Sequence, residues 1–413
     1  MVRSKVAVFH PGVQHSWQTA RALQDLGRLE WYATSIYHQP DRWPYSLGRL
    51  PGPVGRRLAR EFSRFSAPGL DPTLVRTGGI HEWLERMAAR AGFFKLSRRI
   101  DIAGNHAFAR LIEEEIGSAA PFALWGYDGS SRDAFGLAAQ RGRFCVLDRT
   151  IGHWRTMNTV LDGVREQWPE WFEASSGRIP QHQIDLAEDE LHQADLIVTG
   201  SEFAARTIRE ESPFTASKLR VLPYCYDEVL FADQPTPTPV PRDGPVKFLL
   251  VGQLGPRKGI HLLLQAISRI PPQQASLTLL GKLSVPPQTF APYRDRVTHI
   301  SGVPRSEVPA VMAAHHVLVF PSYFEGSALS LIEGLASGLA IIQSENSGNG
   351  VTPDCGIMLE ELSVDALTEA MMVPVRDRAL LDSWRLAAQA EAPRYSFAQY
   401  RDNIEALLTS AGL

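Results

Sequence analysis

The sequence is poor in cysteine. Cys145, Cys225 and Cys355 are the three in 413 residues, far apart and without a C-x-x-C pair. An odd count at such spacing argues against a disulfide framework and points to no structural zinc site. No apolar stretch reaches the length that a membrane-spanning helix needs. The start, MVRSKVAVFHPGVQ, carries only a short apolar run before His10 and Pro11, which reads as a first buried strand and not as a signal peptide. Net charge is small too, at −3, so the chain as a whole is no electrostatic binder of nucleic acid. A reducing, cytoplasmic address follows as the expectation.

What is present is an ordinary globular composition, 44% hydrophobic and 21% charged, in a chain long enough for two or three domains. Short apolar runs alternate with helical stretches. In the first half they are Lys5–Phe9, Leu29–Thr34, Phe122–Trp125, Phe144–Leu147, Asp195–Thr199 and Leu219–Leu222. In the second they are Lys247–Val251, Ser276–Leu280, Val317–Phe320 and Leu339–Ile342. Continuously apolar runs this short suit parallel strands covered by helices on both faces, so the fold class is doubly wound α/β. Between the two series lies ADQPTPTPVPRDGP, with five prolines that can neither donate to a ladder nor continue a helix. The expected domains are 1–231, a connector at 232–245, 246–390, and a C-terminal helix in 391–413 that can cross back to the first domain. Two such domains are expected to face one another across a cleft, with ligands at the carboxyl ends of the strands.

The most informative segment is VLVFPSYFEGSALSLIEGLASGLAII, residues 317–342, a strand, a polar loop, a helix and a second strand. The helix is expected to start near Ser327 or Ala328, where free N–H groups and the macrodipole favour an anion. Gly326 would let backbone approach a ligand closely. Glu325 and Glu333 could bracket that ligand and accept hydrogen bonds from its hydroxyls, which fits the shape sugar–diphosphate–ribose. A second candidate is FLLVGQLGPRKG, residues 248–259, a glycine-punctuated turn whose Lys258 would offset diphosphate charge. Its spacing is not the G-x-G-x-x-G dinucleotide fingerprint.

These segments, with ADLIVTGSEFAARTI and LPYCYDEVLF, resemble glycosyltransferase family 4, most securely over residues 185–360. The resemblance implies a GT-B fold of two Rossmann-like domains and transfer of a sugar from a nucleotide-activated donor with retention of configuration. It assigns Glu325 to the donor sugar, Glu333 to the ribose, Lys258 to the diphosphate, and places Gly12 of the loop HPGVQHSWQ near the phosphate. Two positions depart from the pattern: Gln253 stands where the family usually has arginine, leaving Arg257 to share its charge, and Cys225 replaces a glycine while Asp227 keeps its place. The family's cleft histidine after the fourth strand falls on Asp148 in direct register, with His153 as the displaced alternative. The chain has no D-x-D pair, which argues against a carboxylate-held metal and agrees with the metal independence that the family implies. No cofactor is expected beyond the nucleotide-sugar substrate.

The near-neutral total conceals an asymmetry. Residues 48–100 hold eleven basic and four acidic side chains, net +7 against −10 for the remainder. At 100° per residue, Leu58, Phe62 and Phe65 share one side of a helix and Arg56, Arg57, Arg60 and Arg64 the other. That profile is expected to lie on an anionic membrane surface, at the inner face of the membrane. The leading expectation is thus a retaining, metal-independent transferase using a UDP- or GDP-sugar on a glycan or lipid-linked acceptor. The alternatives are a nucleotide-sugar epimerase and a non-catalytic sugar-nucleotide or glycan-binding protein.

Overall fold

The computed structural model of the chain describes residues 4–12, 15–39, 41, 43, 45–63, 65, 69–77, 84, 93 and 108–413. Among them the first sheet has seven strands: β1 (Lys5–Phe9), β2 (Leu29–Thr34), β3 (Val75–Thr77), β4 (Phe122–Tyr127), β5 (Cys145–Arg149), β6 (Leu196–Thr199) and β7 (Leu219–Val221). Their order is β3-β2-β1-β4-β5-β6-β7, and β3, β2, β1, β4 and β5 pair in parallel. The second sheet has β8 (Val246–Val251), β9 (Ala275–Leu280), β10 (Thr298–Ile300), β11 (Val317–Phe320), β12 (Ala340–Ser344) and β13 (Gly356–Leu359). Its order is β10-β9-β8-β11-β12-β13, parallel throughout. Central strands such as β1, β4 and β11 are apolar at nearly every position because helices cover both of their faces. This is the GT-B architecture of two doubly wound sheets.

In each sheet the chain winds outward on one side of a central strand and then returns to its other side. The reversal falls between β1 and β4 in the first sheet and between β8 and β11 in the second. Loops leaving the carboxyl ends of those strands splay apart at such a point and leave a crevice, the place where open α/β sheets hold ligands.

By contact density the chain forms two compact units, Met1–Asp148 with Asp185–Val198 and Arg401–Leu413, and Arg149–Ile184 with Thr199–Tyr400. Residues 149–184 and 199–231 therefore group with the second unit, and the proline-rich connector lies inside it. The connector runs extended against the helix Arg378–Glu391. Asp382 accepts from the Val240 N–H at 2.8 Å, and Arg385 donates to the Thr238 carbonyl at 2.7 Å.

The basic amphipathic segment differs from expectation. Phe62 and Phe65 do not face a membrane: both are buried, in a cluster with Ile36 and Tyr45, and Leu58 packs against it. The His38 ring stacks on Phe62, and Tyr45 meets it edge-on. Ile36 follows β2, so the helix Pro53–Ser63 spends its apolar face on its own unit. Arg56 and Arg57 are exposed. Arg64, and the side chain of Arg60, lie outside the described residues. Among the described residues no helix is long and apolar enough to cross a membrane.

Candidate active site

The second unit places its charged side chains at the switch between β8 and β11. After β8 the chain turns through Gly252, whose φ of 131° suits glycine and whose missing Cβ would lie 2.9 Å from Lys258 Cε. Lys258 can therefore lie back across the turn, 7% exposed, with Nζ 4.1 Å from the centre of the Phe320 ring. A short 3₁₀ turn, Pro256–Lys258, leads through Gly259 into the helix Ile260–Ser268. Gly259 has φ 66°, and a Cβ there would sit 2.1 Å from the Pro321 carbonyl oxygen. This tight approach brings the lysine turn against the loop that follows β11.

That loop carries Glu325. Lys258 Nζ donates to its Oε1 at 2.8 Å, Arg257 Nη1 lies 2.7 Å from the same oxygen, and Ser322 Oγ donates to it at 3.2 Å. Burial pushes the Glu325 carboxyl upward, but Lys258 and Arg257 together outweigh this and hold it below the ordinary carboxylate range. Burial also pulls the Lys258 ammonium below its usual range, against the pull of Glu325. Two cations against one carboxylate leave a local excess of positive charge where a diphosphate could bind. Arg257 Nη1 also donates to the Phe324 carbonyl at 2.6 Å, tying the loop to the turn a second time.

Glu333 lies on the helix Leu329–Ala336, 3% exposed, and Arg305 donates to its Oε1. Burial raises its carboxyl pKa, with Arg305 opposing and nearby Asp227 adding to the rise. Among the described residues the hydrogen bonds to both glutamates fall on Oε1, so that Oε2 of each is able to accept from a further donor. Asp227 caps the short helix Glu228–Phe231, accepting from Val229 and Leu230 N–H groups. Cys225 is buried.

Other expected residues take different roles. Gly326 is used for packing rather than ligand approach: a Cβ there would stand 1.8 Å from the Thr150 carbonyl oxygen. Ser327 packs against Gly200, where an added Cβ would meet its own Cβ at 2.7 Å. The helix begins at Leu329, and the Ala328 N–H is already taken by the Ser347 carbonyl at 3.2 Å. Gln253 is exposed and donates to Ser284 Oγ at 3.1 Å, so Arg257 and not residue 253 supplies the second cation.

His153 is buried as the N-cap of the helix Trp154–Gln167, its Nδ1 accepting from the Arg155 N–H at 3.1 Å. In the first unit, Asp148 is fully buried near the end of β5, 4.0 Å from His15 Nε2. Gly12 follows β1, its N–H donating to His10 Nδ1 at 2.9 Å. Among the described residues no group of three His, Cys, Asp or Glu side chains is placed to hold a metal ion. Sequence reasoning missed Arg305, Ser322 and the ring pair of His261 and Tyr323. Arg305 opens a short 3₁₀ turn, Arg305–Glu307, after an edge strand with no motif around it, and only the fold brings it to Glu333.

The family description "Glycosyl transferases group 1" matches residues 245–377, which include Lys258, Arg305, Glu325 and Glu333. The chain is 26% identical over 230 residues to O-antigen chain mannosyltransferase B of Escherichia coli, covering 51% of this chain and 59% of that protein. It is 27% identical over 201 residues to the MMP alpha-(1->4)-mannosyltransferase of Mycolicibacterium hassiacum, covering 46% and 47%. The chain thus spans about half the length of the curated relatives it matches. Sucrose-phosphate synthase from Thermosynechococcus elongatus shares its fold over 99% of both chains, with a TM-score of 0.64 at 16% identity. Residues 245–377 are thus similar to the group 1 glycosyltransferases, and the chain around them shares the fold of a solved sucrose-phosphate synthase.

Proposed function

We propose that the protein is a retaining, metal-independent hexosyltransferase, moving mannose or a related sugar from a UDP- or GDP-sugar to a glycan or lipid-linked acceptor. The observation that carries this reading is the Lys258–Arg257–Glu325 cluster at the β8–β11 switch, its lysine and glutamate buried, with Glu333 eight residues further on. Lys258 and Arg257 take the diphosphate, Glu325 a hydroxyl of the sugar and Glu333 the ribose. The sugar's C1–O bond breaks with its electron pair going to the nucleoside diphosphate, and the acceptor oxygen bonds to C1 on the same face as its proton passes to an oxygen of the leaving phosphate. Positive charge held at the leaving oxygens is the main source of rate, because it acts where charge develops. Both curated relatives named above are mannosyltransferases, which favours mannose.

Asp148 is the better candidate for the carboxylate that steadies the sugar or orients the acceptor, since the Nδ1 of His153 is committed to a helix cap. A peripheral membrane role has a different basis from the one expected. Trp43, Leu47, Leu50 and Val54 are exposed large apolar residues beside exposed Arg56 and Arg57, and they could meet an anionic lipid surface at the inner face of the membrane.

A thermal-shift panel of UDP, GDP, ADP and their sugars tests the donor site. One nucleotide and its sugar should raise the melting temperature of the wild type, and Lys258→Met should abolish the shift. No response to any of them would remove the reading.

A further inference from the structure

His261 lies one turn beyond Lys258 and is fully buried at the start of the helix Ile260–Ser268. Its ring stacks on Tyr323, two residues before Glu325, with centroids 5.6 Å apart and planes 8° from parallel. Its Nε2 and the Tyr323 hydroxyl are 3.2 Å apart, and its Nδ1 has no hydrogen-bond partner among the described residues. Among the described residues the polar contact of the ring therefore runs to Tyr323 alone. Burial drives the imidazole down to about 3, so it is neutral at working pH and acts through packing and one hydrogen bond.

The Tyr323 backbone is held on the same side, its N–H donating to the Arg257 carbonyl at 2.8 Å, while Asn346 donates to its carbonyl. Over His261 lie Trp168 and Trp171, with ring centroids 5.4 and 5.9 Å away. They belong to a segment whose beginning packs on the Glu325 loop, Thr150 against Gly326 and Gly152 against Phe324. One stretch of chain thus covers the glutamate loop at its start and the lysine turn at its end.

We propose that His261 and Tyr323 are positioning residues that set the separation of Lys258 and Glu325, with Trp168 and Trp171 holding the ring pair in place. This rests on the reading of Lys258 and Glu325 as the donor site. The pair joins the two elements that carry those side chains, so its loss loosens the donor site while the side chains that touch the ligand stay intact. Misplacement by a fraction of an ångström is costly where oriented charges do the work.

The test compares wild type, His261→Phe, Tyr323→Phe and the double variant, measuring donor KM, acceptor KM and the nucleotide-induced thermal shift. Each single variant should raise donor KM about tenfold, the worth of one hydrogen bond, and leave acceptor KM unchanged. The double variant should be no worse than either single one, because both remove the same bond. Tyr323→Phe removes one oxygen from a half-buried ring, so it decides the matter if His261→Phe fails to fold. Unchanged donor KM in Tyr323→Phe, or fully multiplicative losses in the double variant, would overturn the proposal. A wild type with no nucleotide response would instead remove the donor-site reading beneath it.

Discussion

Single residues explain most of what the second unit can do, and they also show where sequence reasoning reached its limit. Lys258, Glu325 and Glu333 stand out in the sequence because each holds a fixed place in a strand–loop–helix unit, which the sequence displays directly. Arg257 was legible only as a stand-in for the charge missing at Gln253, and its contact with Glu325 depends on a turn geometry that no spacing rule encodes. Arg305 and His261 were not legible, since each meets its partner across tens of residues. His261 carries a prediction of its own. Its pKa is depressed in the folded protein to about 3, against 6.5 for the free side chain. Its contribution is therefore complete above about pH 6.5 and is lost as pH falls, when the unfolded chain takes up a proton that the folded one refuses. From this group alone, stability should drop by about 2 kcal/mol between pH 7 and pH 5. Urea titrations at the two pH values should show a correspondingly smaller drop for His261→Phe. An equal drop in both proteins would show that the ring is not buried in its neutral form.

At the level of elements, the central strands were legible and the margins were not. The apolar runs foretold ten strands, with ends within about two residues of those observed. Among the described residues the three missed were β3, β10 and β13, and all three are edge strands of three or four residues. An edge strand has one neighbour and a partly exposed surface, so its sequence need not be continuously apolar. The basic helix at Pro53–Ser63 failed for a related reason. An amphipathic pattern states that an apolar face is covered, but it does not name the cover, and here Ile36 and Tyr45 supply it. The membrane proposal accordingly moves to Trp43, Leu47, Leu50 and Val54 with the arginines beside them. In a flotation assay the wild type should rise with anionic vesicles and not with neutral ones. Arg56→Glu with Arg57→Glu should weaken that binding without unfolding the protein, because both side chains are exposed. Equal binding to both vesicle types, or no effect of the charge reversals, would count against a lipid-facing role.

Across the whole molecule, the division into two doubly wound sheets was readable from the two series of apolar runs, whereas the grouping of segments was not. Proline content marked 232–245 as a stiff connector, yet Val240 and Thr238 are tied to the helix Arg378–Glu391 and the connector counts as part of the second unit. The last residues, 401–413, group with the first unit, where Glu405 accepts from buried Arg28 at 3.1 Å. Contacts of this kind join residues more than a hundred positions apart and leave no local pattern. Each unit nonetheless carries polar side chains near its own switch point, His15 after β1 with Asp148 on the neighbouring β5 in the first and the Lys258–Glu325 cluster in the second. The proposed transferase activity depends on that second cluster as its donor site. The most direct test is acceptor-dependent release of nucleoside diphosphate by wild type and Glu325→Ala, with the anomeric configuration of the product read by NMR. The account predicts release with retention by the wild type and a loss of about a hundredfold or more in the variant. Near-normal transfer by Glu325→Ala, or turnover of the donor by the wild type with no acceptor present, would contradict it.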